Sequence, residues 1–296
     1  MYPSNEPEPV VLPANGISLA YQTYGDPSSR PLLLVMGLAT QMLAWHEEFC
    51  RELVDAGFHV IRFDNRDVGL STHLHDAGAP NLQRLFSEPK AVAAYTLEDM
   101  ADDAASLLDG LGITAADVVG ASMGGMIAQV LASRHPHRVR SLTSIMSTPS
   151  PWVGPPTQKA AAVLIAPAAK SREAAVERAV ETYRVIGSPG FALDEDELRR
   201  TAGIGYDRGY DPAGVVRQLA AIHASGDRTE ALRTITAPTV VLHGEADPLV
   251  QLPGGQATAD AIPGASLVTY PGMGHNTPRE LWSDFVKQIL SVSSAS

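Results

Sequence analysis

Short apolar runs alternate along this chain with longer segments of helical spacing, and that alternation leaves few folds open to it. Ser18–Tyr24, Leu32–Met36, His59–Phe63, Asp117–Gly120, Arg140–Met146, Thr239–His243 and Ser266–Tyr270 read as strands. Leu32–Met36 is apolar without a break, as a strand covered on both faces must be. Between these runs lie helical patterns. Trp45, Phe49 and Leu53 share one face, as do Met100, Ala104, Leu107, Leu108 and Leu111. Thr96 and Asp99 form a capping-box pair that opens the second of these helices. A strand–helix alternation of this kind predicts an α/β fold, a mainly parallel sheet flanked by helices. From 149 to 232 the rhythm stops. That stretch reads as helical segments near 157–166, 172–186, 194–203 and 213–224. The expected organisation is therefore a sheet domain, 1–148 and 233–296, with an inserted helical cap, 149–232. In such a sheet, reactive groups should stand where strands end at their carboxyl edge.

Composition removes several function classes. Lys and Arg number 22 against 33 Asp and Glu, a formal charge of −11. A phosphate backbone or an anionic membrane surface would repel such a chain, so no nucleic-acid partner is expected. The longest apolar run, Ala160 to Ala169, is interrupted by Pro167 and falls short of the roughly 20 residues of a membrane span; a buried helix is the expectation there. Residues 1–9 are polar and do not read as a signal peptide, which points to the cytoplasm. Cys50 stands alone, so no internal disulfide can form. A homodimer is compatible with all of this.

The motif Gly120-Ala121-Ser122-Met123-Gly124 has the form G-x-S-x-G. In a chain with 25 glycines the short pattern is weak by itself. Its setting gives it weight, because it follows a strand and opens a helix, the context of a nucleophile elbow. A serine hydroxyl needs a base. Of nine histidines, His275 alone lies in a Gly- and Pro-held loop, Pro271–Gly274, after a strand and before the last helix. His73, His75, His135 and His137 read as solvated residues, and His243 as packed. The base needs a carboxylate to orient it. Asp247 follows Thr239–His243 in the loop Gly244-Glu245-Ala246-Asp247-Pro248, with Glu245 as the competitor. Backbone N–H groups of Met123, after the nucleophile, and of Leu38, in the Met36-Gly37-Leu38 loop, are the candidates to hold an oxyanion. Trp152, Tyr183 and Phe191, with Tyr206 and Tyr210, are candidate walls of a substrate pocket. Paired Cys, a metal-binding His pair with Glu at helical spacing, and a phosphate or dinucleotide loop are all absent from the sequence, so neither a metal nor a cofactor is expected.

The order Ser122, Asp247, His275, together with Asp64-Asn65-Arg66-Asp67-Val68-Gly69-Leu70-Ser71 after the fourth strand of the family, resembles the α/β-hydrolase family. The resemblance covers about 1–148 and 233–296. It implies an α/β-hydrolase fold and places the family's nucleophile, acid and base on Ser122, Asp247 and His275. Two departures stand out. Met36-Gly37 replaces the usual His-Gly, and Arg66-Asp67 replaces the usual Arg-Gly. Both resemble the branch containing the aclacinomycin methylesterases, which remove a methyl ester from a polyketide antibiotic. The expected activity is that of a cofactor-free serine hydrolase, a carboxylesterase or methylesterase, acting on an apolar small-molecule ester. Lactone opening, carbon–carbon hydrolysis and perhydrolysis use the same machinery. A non-catalytic small-molecule receptor on the same fold is the reading from another class.

Overall fold

The computed structural model describes residues 7–293 and contains one eight-stranded sheet. Residues 1–6 of the polar leader and 294–296 of the tail lie outside the described residues. The strands are β1 (Val10–Ala14), β2 (Ile17–Tyr24), β3 (Arg30–Val35), β4 (Phe58–Phe63), β5 (Ala116–Ala121), β6 (Val139–Ile145), β7 (Thr239–Gly244) and β8 (Ser266–Tyr270). Their order across the sheet is β1-β2-β4-β3-β5-β6-β7-β8. β2 pairs antiparallel with β1 and β4, and the remaining pairs are parallel. The helices are α1 (Glu47–Asp55), α2 (Leu82–Ser87), α3 (Pro89–Val92), α4 (Leu97–Gly110), α5 (Met123–Arg134), α6 (Gln158–Leu164), α7 (Arg172–Ile186), α8 (Glu195–Gly209), α9 (Pro212–Ser225), α10 (Thr229–Leu232), α11 (Leu252–Ala261) and α12 (Trp282–Ser293).

The unbroken apolar run of β3 now has its reason. Successive strand residues face opposite sides. Leu33 and Val35 join a core with Met100, Leu107, Ile127 and Leu131 of α4 and α5. Leu32 and Leu34 join another with Phe49, Leu53, Phe285 and Ile289 of α1 and α12. Each face of the sheet carries helices, so a polar residue on either face would lose its water. At the start of α4, the Thr96 N–H donates to Asp99 Oδ2 at 2.8 Å.

Several elements differ from the sequence expectation. β1 gave no strand signal. It lies at the sheet edge, where Pro13 breaks no interior ladder and Val10 and Val11 remain exposed. α8 runs on to Gly209, past Gly203 and Gly205, and α11 starts at Leu252 despite Pro253, Gly254 and Gly255. In the Ala160–Ala169 run, α6 stops at Leu164 and Ile165 is exposed, so this is not the buried helix expected. Pro167 stops the helix from running on through the rest of the apolar stretch. Among the described residues no helix is long and apolar enough to cross a membrane.

Helices α6 to α10 lie between β6 and β7 in the chain and are tied to the sheet by buried polar contacts. Arg217 of α9, fully buried, donates to both carboxylate oxygens of Asp67 at 2.7 and 2.8 Å. Arg208 of α8 donates to Asp64 Oδ2 at 2.6 Å. Asp67 occupies the place where the resemblance has glycine. Its φ of +69° is the left-handed conformation that glycine adopts without strain, and here the Arg217 and Tyr95 bonds hold an aspartate in it.

Candidate active site

Ser122 stands between β5 and α5 at φ +56°, ψ −122°. A residue with a Cβ pays of order 1–3 kcal/mol for such a conformation. The surroundings enforce it. The Ser122 N–H donates to the Ile145 carbonyl at 2.9 Å. A Cβ on Gly120 would collide with the Gly124 carbonyl, and one on Gly124 with the carbonyls of Val35 and Met36. The glycines of G-x-S-x-G are therefore demanded by close passage of three backbones. The turn lifts the hydroxyl clear of β5 and sets it at the N-terminus of α5, where the helix dipole favours negative charge.

His275 follows β8. Its loop is held on both sides: Ala246 N–H donates to the Met273 carbonyl at 3.0 Å, and His275 N–H to the Ile186 carbonyl of α7 at 2.7 Å. The ring is nearly buried and spans two partners. Nδ1 lies 2.7 Å from Asp247 Oδ2, and Nε2 lies 2.9 Å from Ser122 Oγ. Asp247 is itself buried, and its Oδ1 accepts the backbone N–H groups of Leu249 and Val250 at 2.8 and 2.9 Å. The competitor Glu245 is exposed and accepts from Thr269 Oγ1 at 2.8 Å instead. The structure thus brings Ser122, Asp247 and His275 together, and leaves Glu245 outside.

The loop Met36-Gly37-Leu38 passes against the serine. A Cβ on Gly37 would lie 3.1 Å from Ser122 Cβ and 3.5 Å from Oγ. Asn65 Nδ2 holds the Met36 carbonyl at 2.8 Å, and Gln218 Oε1 accepts the Ala39 N–H at 2.9 Å. Met123 begins α5, where backbone N–H groups have no partner within the helix. Leu38 and Met123 thus lie on the two chain segments that flank Ser122.

The aromatic candidates are scattered. Tyr183 is half-buried on α7, whose last turn abuts Gly274 and Asn276. Phe191, partly buried, packs against the core cluster that includes Tyr270 and Met273. Trp152 is 66% exposed, with its ring near Gly226. Tyr206 and Tyr210 stack on each other, with ring centroids 4.9 Å apart. Sequence reasoning did not single out Gln218, a fully buried amide on α9; a Gln beside apolar Leu219, Ala220 and Ala221 was the available signal. His243 is fully buried, as its packing reading anticipated, and its Nε2 contacts the Val250 carbonyl at 2.8 Å. His73, His75 and Asp211 have ligand atoms spaced to hold a metal ion. His73 and His75 line a groove that none of Ser122, Asp247 and His275 lines.

Comparison with known proteins agrees with this geometry. Residues 30–278 match the model of the alpha/beta hydrolase fold family. The chain is 30% identical over 284 residues to the rhodomycin D methylesterase DnrP of Streptomyces peucetius, a match covering 88% of this chain and 90% of that one. It is equally similar to the rhodomycin D methylesterase DauP of Streptomyces sp. strain C5, 30% over 284 residues with the same coverage. Among solved structures, the enol-lactonase of Burkholderia xenovorans LB400 superposes with a TM-score of 0.75 at 22% identity, covering 96% of this chain and 100% of the other, which is a likeness of fold. The strand order, the serine on its elbow and the match over most of the chain agree: the protein belongs to the α/β-hydrolase family.

Proposed function

We propose that this protein is a serine hydrolase that cleaves carboxylic esters through an acyl-enzyme, with Ser122 as nucleophile, His275 as base and Asp247 as its orienting carboxylate. The observation that carries the reading is the imidazole of His275, 2.7 Å from Asp247 Oδ2 on one side and 2.9 Å from Ser122 Oγ on the other. Asp247 accepts the Nδ1–H, which leaves Nε2 free to take the serine proton. Ser122 Oγ attacks the ester carbonyl as its proton moves to Nε2. The N–H groups of Leu38 and Met123 receive the oxyanion, aided by the α5 dipole. The imidazolium then protonates the departing alkoxide. Water, deprotonated by the same ring, releases the acid and restores the serine.

The methylesterase relatives support a methyl or other small alkyl ester of an apolar acid as the substrate class. In this reading 149–232 forms a cap over a sheet domain of 1–148 and 233–296. Its support is the contact of α7 with the His275 loop and of Gln218 with the Leu38 loop. Tyr183 and Phe191 then serve as pocket walls, supported by their place beside that loop. Trp152, two-thirds exposed, stands apart from them. A cytoplasmic location is part of the proposal; a lone buried thiol, Cys50, suits a reducing compartment.

Replacing Ser122 with Ala tests the reading. Hydrolysis of p-nitrophenyl esters should vanish, together with labelling by a fluorophosphonate probe. Wild-type turnover in the variant would exclude Ser122 as the nucleophile. Failure of the wild-type protein to label, with tight binding of an ester, would make it a receptor.

A further inference from the structure

His73 and His75 stand two residues apart on the turn after β4, and Asp211 caps the start of α9. Each offers one ligand atom, and the three atoms lie within 4.8 Å of one another. Asp211 Oδ2 is 3.2 Å from His73 Nδ1 and 3.6 Å from His75 Nδ1. The two rings stack, tilted by 12°.

The proton count around His73 is the informative feature. Its Nε2 lies 3.0 Å from the Gly69 carbonyl, and its Nδ1 faces the Asp211 carboxylate. Both neighbours are acceptors, whereas a neutral imidazole has one N–H. With that hydrogen on Nε2 and bonded to Gly69, Nδ1 turns a lone pair toward a carboxylate. The two repel unless a proton or a cation lies between them. Arg217 donates to Asp211 Oδ2 at 2.7 Å and Ala213 N–H to Oδ1 at 3.0 Å, so the carboxylate is already held in place.

We propose that His73, His75 and Asp211 bind a divalent late-transition-metal cation, of the zinc class, which clamps the turn after β4 to the start of α9. Ligands at zinc bond lengths of about 2.0–2.2 Å around a tetrahedral ion stand roughly 3.3–3.6 Å apart. The observed edges of 3.2 and 3.6 Å bracket that spacing. Two imidazole nitrogens and one carboxylate favour zinc over calcium or magnesium, which take oxygen ligands. The outer bonds are in place. His73 donates Nε2–H to Gly69, which fixes the tautomer with Nδ1 free, and Arg217 steadies Asp211. Asp67 and Asp211 together carry one more charge than Arg217 balances, so the site is net negative. Two of the three ligands, His73 and His75, line an open groove of about 650 Å³ with Thr72, Leu74, Asp76, Ala77 and Ala94, room for water or a small anion beside the ion. His73 and Asp211 are 138 residues apart, so a bound ion would join the inserted helices to the sheet. A cation that binds only the folded chain raises its stability with concentration.

The test uses the untagged full-length chain after dialysis against a chelator, titrated with zinc chloride by calorimetry and followed by thermal melts. The expected result is saturable binding of one zinc per chain and a Tm that rises with zinc. His75 is exposed, so His75→Ala should fold as the wild type does and should weaken binding by about a hundredfold or more, beyond the loss caused by removing an outer partner. The double variant His73→Ala, His75→Ala should bind no stoichiometric zinc, and its Tm should ignore the ion. Absence of saturable zinc binding to the wild type overturns the proposal. Binding and Tm response unchanged in the double variant overturn it equally. Ser122→Ala should bind zinc like the wild type, so the outcome is separate from that of the esterase reading.

Discussion

Gln218, on α9, accepts the backbone N–H of Ala39 at 2.9 Å, while its amide donates to the Arg66 carbonyl at 2.8 Å. The two residues of the first bond are 179 positions apart, and the amide is fully buried. Ala39 holds a φ of +60°, which a residue with a Cβ seldom adopts unaided. A side chain from the inserted helices thus fixes the shape of the loop that carries Leu38.

Gln218→Leu should therefore act at a distance. It removes one partner each from the Ala39 N–H and the Arg66 carbonyl, at about 1–3 kcal/mol for a buried group left unmet. With Leu38 N–H as the proposed oxyanion donor no longer aimed, kcat should fall about 10–100-fold, somewhat less than the roughly 10²–10³ lost with a whole oxyanion donor. KM should change little, and Gln218→Glu, which keeps the acceptor for Ala39, should recover part of kcat. Steady-state ester kinetics beside thermal melts would check this. A variant with wild-type kcat would mean that Asn65 alone sets the loop.

Two glycines packed beside the elbow serine should behave differently. A Cβ on Gly124 meets backbone carbonyls that cannot turn aside, so Gly124→Ala should lose about 3 kcal/mol or more in urea unfolding. A Cβ on Gly37 meets Ser122 Cβ at 3.1 Å and the Ala121 carbonyl at 3.2 Å, tight contacts that a shift of a few tenths of an ångström relieves. Gly37→Ala should lose less stability than Gly124→Ala yet hydrolyse esters slowly, because the shift disturbs Ser122, the proposed nucleophile. Equal stability of the two variants would contradict this account of the elbow.

Acid should weaken the fold through its buried histidines. Burial pushes the His243 imidazole below its usual range, and the rings of His46 and His223 are lowered by burial too. Among the described residues His243 Nδ1 has no hydrogen-bond partner. The unfolded chain takes up protons near pH 6.5, while these rings in the folded chain do so only at lower pH. The unfolded state therefore binds more protons below about pH 6.5, and stability falls as pH drops through that value. The loss is bounded by about 1.4 kcal/mol per pH unit for each histidine. Urea unfolding at pH 7.5 and 5.5 should show it, and His243→Gln should flatten part of the slope. A stability unchanged by acidification, or raised by it, would be the contrary result.

The parallel sheet and its reactive edge were legible in the sequence because each rests on a local pattern. A strand buried on both faces must be continuously apolar, as Leu32–Val35 is, and an elbow between β5 and α5 must carry glycines around Ser122. Chain order then set Asp247 and His275 after their own strands. β1 escaped because an edge strand can keep Pro13 and exposed valines. Trp152 shows the limit for aromatic residues, since the sequence gives an apolar ring and only the structure shows that it is two-thirds exposed. Tertiary structure alone decided that Gln218 would reach Ala39, and that Asp211 would meet His73 and His75. Residues so far apart in the chain meet only because the inserted helices settle onto the sheet, where their paired hydrogen bonds and charges offset the cost of leaving water. That pairing has no period for a one-dimensional reading to detect.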